Sequence, residues 1–196
     1  MIPQLCAFAV KVKIILIAGM GGVNQYDAKN IFYTVRSQYC IELGIDLKLT
    51  TFRNRKDLYP QFKSLSAQQQ RYNAWKAWLI SKNRLRTKQL TYLMFPPMPE
   101  GGKLWIGGLS STICGYGKAK SFSMGNAELV NQDYAPRYNH SIVIMKHELG
   151  HLLGADHDNS LPVTVMNSAP LPSVDMMGIM PFSELSKSQI YNCLGL

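Results

Sequence analysis

His147-Glu148-Leu149-Gly150-His151-Leu152-Leu153-Gly154-Ala155-Asp156-His157-Asp158 gathers three of the chain's four histidines into one short segment. The run before it, Ile142 to Lys146, is largely apolar, and Ser141 or Asn139 is suited to cap a helix there. The expectation is a helix running through His147 to Leu153. Residues four apart stack on one helical face, so His147 and His151 present their rings to a common point. Glu148 projects beside that point, within reach of a water held there. Gly154 can adopt the left-handed conformation that ends a helix, and the resulting turn brings His157 back toward the two rings.

Three neutral imidazoles and one vacant position are the donor set of a catalytic zinc site. The residues therefore predict one Zn2+ ion held by His147, His151 and His157, with Glu148 as general base and then general acid. The competing reading is an amphipathic helix that binds nothing. It would have to bury three imidazoles and a carboxylate on one side without partners, which is costly. A lone HExxH is a moderate signal, and the glycine and third histidine strengthen it because each meets a separate geometric demand. His140 reads as a surface or cap-region residue.

Outward from this segment the chain alternates strands and helices. Val10-Lys11-Val12-Lys13-Ile14, continuing to Ala18, reads as a first strand over about 10–18, followed by a glycine turn at Gly19 to Gly22. A helix is expected from about Asp27, a candidate cap, to Leu43, with Gly44 closing it. Residues 45–52 alternate as a second strand, 66–82 form a second long helix, and Leu90 to Phe95 form a third strand stopped by Pro96-Pro97. Trp75 and Trp78 stand at helical spacing and read as core packing. Two such passes imply parallel pairing, because a parallel connection needs a crossover. From Gly101 to Asn126 the chain is rich in Gly and Ser and reads as an irregular region holding an edge strand. The fold class expected is α/β (α+β): a mainly parallel sheet with an antiparallel edge strand, two long helices and an active-site helix. With 196 residues and no internal repeat, one domain is expected.

The net charge is +9, and ten of the 21 basic side chains lie between Arg53 and Lys88. That stretch reads as a solvated helix face and loop, the alternative being a surface for anionic partners. No nucleic-acid motif accompanies it, so no nucleic-acid partner is expected. No apolar run is long enough to span a bilayer. The N-terminal residues lack the basic start and continuous apolar run of an export signal. Four cysteines, Cys6, Cys40, Cys114 and Cys193, show no CxxC pair and are not metal ligands. Their even count allows disulfides in an oxidising compartment and free thiols otherwise.

The segment 147–158 resembles the elongated zinc-binding consensus of the metzincins. Asp158, directly after the third histidine, is similar to the adamalysin branch. Val163-Thr164-Val165-Met166-Asn167 resembles the methionine turn of these enzymes, with Met166 packed beneath the metal as a soft apolar base. Phe182-Ser183-Glu184-Leu185-Ser186 resembles the adamalysin C-terminal helix. Ser168 stands where astacin- and serralysin-like enzymes place a tyrosine, which argues against those branches. Cys6 lacks the motif around the zinc-blocking thiol of latent matrixins and reads as a buried or free thiol.

The resemblance implies an N-terminal subdomain over 1–154 and a small irregular C-terminal one over 155–196. It also implies a Cys114–Cys193 disulfide and a secreted, monomeric zinc endopeptidase. Its peptide or protein substrate would lie extended along an edge strand within 104–124, facing a wall formed by Asn167 to Pro181. Two alternatives stand beside this reading. One is a zinc amidase acting on a non-peptide substrate. The other is a zinc-stapled binding module using the basic 53–88 region, against which the lack of a fourth ligand counts.

Overall fold

The alternation of β1 (Phe8–Leu16) sorts its side chains onto two faces. Val10, Val12, Ile14 and Leu16 enter one apolar cluster, and Ile15 and Ile17 enter another. The computed structural model describes residues 6–18, 23–65, 68–96, 98–100, 103–105, 107–127, 135–159, 164–168 and 180–196. The expected glycine turn at Gly19 to Gly22 and the Asn167–Pro181 wall beyond Ser168 as far as residue 179 lie outside these residues, as do Pro97 and Val163.

After β1 the order is α1 (Gln25–Leu43), β2 (Ile45–Asn54), a 3-10 turn (Lys56–Leu58), α2 (Tyr59–Lys63), α3 (Gln68–Ser81) and β3 (Leu90–Phe95). Then come β4 (Met98–Glu100), β5 (Lys103–Trp105), β6 (Gly108–Ser110), β7 (Phe122–Asn126), α4 (Ala135–Leu153) and α5 (Glu184–Leu194). Five strands form one sheet in the order β2-β1-β3-β7-β6, and β4 and β5 make a separate antiparallel pair. All neighbours in the main sheet run parallel except β6, which pairs antiparallel with β7 at the edge. The mixed α/β fold with an antiparallel edge strand is thus the one the sequence predicts.

Helices cover both faces. Ile31, Val35 and Tyr39 of α1 join Met145, Leu149 and Leu152 of α4 against one face. Trp75 and Leu79 of α3 pack with Phe122 and Met124 on the other. Each such buried apolar side chain contributes about 1.5–3 kcal/mol over its exposed state. Trp78 stacks on Trp75 at 4.8 Å between ring centroids. No helix among the described residues is long and apolar enough to cross a membrane.

Several local expectations are corrected. The N-cap of α1 is Asn24, not Asp27: its side chain accepts the Tyr26 and Asp27 N–H groups at 2.8 and 3.0 Å. Asp27 instead accepts the Asn24 amide at 2.7 Å. The helix that bears His147 and His151, α4, begins at Ala135, well before Asn139 or Ser141. Pro136 is tolerated in its first turn, where no intrahelical N–H is lost, and Ser141 is buried inside the helix. Arg71 is no solvated charge either, since it is buried and donates twice to the Leu65 carbonyl, at 2.9 and 3.1 Å. Cys6 is not a free thiol: it is disulfide-bonded to Cys40, tying the start of β1 to α1. A second disulfide joins Cys114 to Cys193 in α5.

Candidate metal centre

α4 carries His147 and His151 one turn apart, and their Nε2 atoms lie 3.0 Å from each other. Both Nδ1 atoms face backbone carbonyls: His147 donates to Val165 O at 2.7 Å, and His151 to Ala155 O at 2.8 Å. Those bonds place each ring proton on Nδ1 and leave the lone pair on Nε2. Burial pushes the His147 pKa down to about 4, against the pull of the Val165 bond, and burial lowers His151 in the same direction. Both rings are therefore neutral near pH 7 and present two facing lone pairs.

Two lone pairs at that separation repel unless a cation lies between them. Two zinc–nitrogen bonds of about 2.0 Å at a tetrahedral angle put their nitrogens roughly 3.3 Å apart, close to what is found. His157 supplies the third ring, with centroids 5.3 and 4.8 Å from those of His147 and His151. One ligand atom from each of the three histidines falls within 4.8 Å of the others. His140 is not in the group. The donor set fits a divalent ion such as zinc.

Gly154 delivers the third histidine. Its φ of +121° is one that residues with side chains rarely adopt, and a Cβ there would sit 2.5 Å from Cys193 Cβ and 2.9 Å from the Gln189 carbonyl. The turn is thus fixed both by backbone conformation and by the close approach of α5. Below the helix, Met166 is fully buried. Its sulfur lies 2.8 Å from where a Gly150 side chain would begin, so the first glycine of the segment is what lets the methionine approach the helix between His147 and His151. The Met166 carbonyl accepts the N–H of buried Asp158 at 2.9 Å, and Val165 N–H donates to Pro181 O at 3.0 Å.

Glu148 sits between the helix and the sheet edge, 5% exposed. Burial pushes its pKa up to about 8, while the Ser110 hydroxyl pulls it down. Ser110 Oγ, on β6, lies 2.6 Å from Glu148 Oε2 and 2.8 Å from the Glu148 carbonyl. A side chain on neighbouring Gly108 would collide with the Glu148 carboxylate. Together with Val143, Ile144 and the histidines, these β6 residues line a cleft of about 610 Å³, with Asn167 and Ser168 at its wall.

Sequence reasoning found neither Ser110, Gly108 nor Val165. Val165 works through its carbonyl, which leaves no side-chain signal. Ser110 and Gly108 sit in a Gly/Ser-rich stretch with no periodicity, and only the edge-strand expectation pointed there. Lys146 was also missed as more than a helix residue. It is 1% exposed and donates to Glu42 Oε1 at 2.5 Å and Met180 O at 2.7 Å, with its ammonium 5.0 Å from the Phe182 ring centroid.

No protein-family profile matches the sequence, and no curated protein matches it significantly. Solved structures do match. Metalloproteinase-II from Bacteroides fragilis aligns with a TM-score of 0.59 at 16% identity over 98% of this chain, which spans 55% of that one. Archaemetzincin from Methanopyrus kandleri aligns with a TM-score of 0.61 at 14% identity, covering 100% of both chains. Neither bears an adamalysin name, so these two likenesses do not bear on that branch. What the two share with this chain is the fold; in this chain that fold brings together three histidines that could hold a metal ion.

Proposed function

We propose that the chain is a zinc-dependent endopeptidase, with His147, His151 and His157 as ligands and Glu148 as general base and acid. The observation that carries this is the pair of His147 and His151 Nε2 atoms, stripped of protons by their carbonyl partners and facing one another beside a buried carboxylate. When bound, zinc supplies a Lewis acid that polarises a peptide carbonyl and acidifies a water molecule.

The chain's own groups do the rest. Glu148 Oε2 is held by Ser110, which leaves Oε1 to take a proton from the attacking water and later hand it to the departing amine. The Ser110 hydroxyl serves both states: Oε2 accepts from it whether or not Oε1 carries the proton, and the Glu148 carbonyl is its second acceptor. β6 lies at the sheet edge and borders the cleft, so an extended peptide can add to it by main-chain hydrogen bonds. Enclosure of Glu148 strengthens each of these interactions by keeping water from competing. Asp158, buried and directly after the third histidine in sequence, supports an adamalysin-like branch.

Casein digestion by the zinc-loaded protein, with and without chelator, tests the reading. Cleavage at internal bonds is expected, stopped by chelator and restored by zinc, and abolished in Glu148→Ala although that variant retains zinc. Undiminished hydrolysis by Glu148→Ala refutes the role given to Glu148. Stoichiometric zinc with no peptide cleavage favours the amidase or binding-module alternatives.

A further inference from the structure

On the sheet face away from α4, Lys13 lies in the field of three arginines, Arg53, Arg84 and Arg86. Lys13 has the same parity on β1 as Ile15 and Ile17, which pack under α3, so its side chain lies on that face. Its register partners are Thr51 on β2 and Thr91 on β3. The register shifts here: Val12 pairs with Leu49 but Lys13 with Thr51, so Thr50 is an extra residue in β2. Thr50 Oγ1 donates to Val12 O at 3.0 Å and accepts from Gln89 Nε2 at 2.7 Å, which joins the bulge to the segment after Arg86. Bulges of this kind re-aim the side chains beside them.

Lys13 is only 9% exposed. Burial holds its ammonium below the usual lysine range, and the charges of Arg84, Arg53 and Arg86 push it the same way. No side-chain hydrogen bond or ion pair of Lys13, Arg53 or Arg86 is present among the described residues. Arg84 rests on the Trp78 ring, 5.1 Å from its centroid, and Arg55 rests on it at the same distance. The nearby carboxylate of Asp57 is already engaged by Arg55 at 2.6 and 2.8 Å. A second polar group is also unanswered: the Thr91 hydroxyl, next to Lys13 in register, is buried with no partner. Gathering like charges around a partly buried ammonium costs free energy that a bound anion would recover. Guanidinium groups donate in a fork that matches tetrahedral oxyanions.

We propose that Lys13, Arg53, Arg84 and Arg86 form a binding site for a doubly charged tetrahedral oxyanion, phosphate or sulfate, free or as the end of a monoester. The site lies across the sheet from the metal centre and is independent of the proteolytic reading. Calorimetric titration of the full chain at fixed ionic strength, set with chloride, tests it with three probes: inorganic phosphate, inorganic sulfate and O-phosphoserine. Saturable one-site binding is expected, at least tenfold weaker in Lys13→Met and in Arg53→Gln. In chloride alone, Lys13→Met should unfold at a higher temperature than the parent, and sulfate should reverse that order. Comparable affinity for O-phosphoserine identifies an esterified source, and binding of the inorganic ions alone identifies a free one. Should Lys13→Met not fold, Arg53→Gln on the exposed edge of β2 carries the comparison. Equal oxyanion binding by parent and variants, or no binding beyond that of chloride, overturns the proposal.

Discussion

Consider the charge on Glu42 removed while its shape is kept, by Glu42→Gln. The partner side chain, Lys146, is 1% exposed, and without the carboxylate charge its ammonium keeps the Met180 carbonyl at 2.7 Å and the face of Phe182. Leaving one member of a buried ion pair uncompensated costs about 3–5 kcal/mol. Glutamine still offers an oxygen to the ammonium or to the Phe182 N–H, which Glu42 Oε2 accepts at 3.0 Å, so the low end applies, about 3 kcal/mol. For a chain of this size that corresponds to a fall of roughly 6–12 °C in Tm. Lys146→Met should cost less, about 1–2 kcal/mol, because Glu42 is nearer to solvent and methionine refills the stem. Replacing both ions with groups of similar volume is often neutral, so the double variant should lie within about 1 kcal/mol of the parent. Urea unfolding of all four proteins gives the coupling energy. Two single variants that each cost under about 0.5 kcal/mol and add without coupling would refute the reasoning. The pair would then be an ornament, not the tie from α1 and α4 to the segment at Met180–Phe182.

Two further predictions concern Glu148. Because its folded pKa is raised from 4.5 to about 8, its contribution to the stability of the metal-free protein is complete below about pH 4.5 and is lost as pH rises through 8. Glu148→Gln should therefore raise the Tm of the metal-free protein at pH 8.5 and change it little at pH 4.5; equal shifts at both pH values would contradict the assignment. Ser110→Ala should lower kcat about tenfold with zinc content and KM nearly unchanged, and Ser110→Thr should recover part of the loss. A rise in KM with kcat intact would mean that Ser110 binds substrate and does not hold the base.

The metal centre could be read in the sequence because its spacing and its geometry are the same fact. Four residues make one helical turn, so His147 and His151 must share a face, and a glycine is what a sharp turn toward His157 requires. Leu90 to Phe95 was legible for a similar reason, as an apolar run bounded by turn and proline. Helix ends were less so. Asp27 and Asn24 are both good caps, and only the backbone decides that Asn24 takes the N–H groups. What stayed hidden depends on partners distant in the chain. Glu42 and Lys146 are 104 residues apart, and Ser110 meets Glu148 across 38. Cys6 and Cys40 join only because β1 and α1 are neighbours in space.

The central claim, three imidazoles on one ion with a position left for solvent, is most directly tested by zinc-edge X-ray absorption on the metal-loaded protein. The account predicts one zinc per chain, with three histidine nitrogens and one water oxygen at about 2.0 Å. Sulfur scattering near 2.3 Å, four protein ligands or substoichiometric zinc would contradict it.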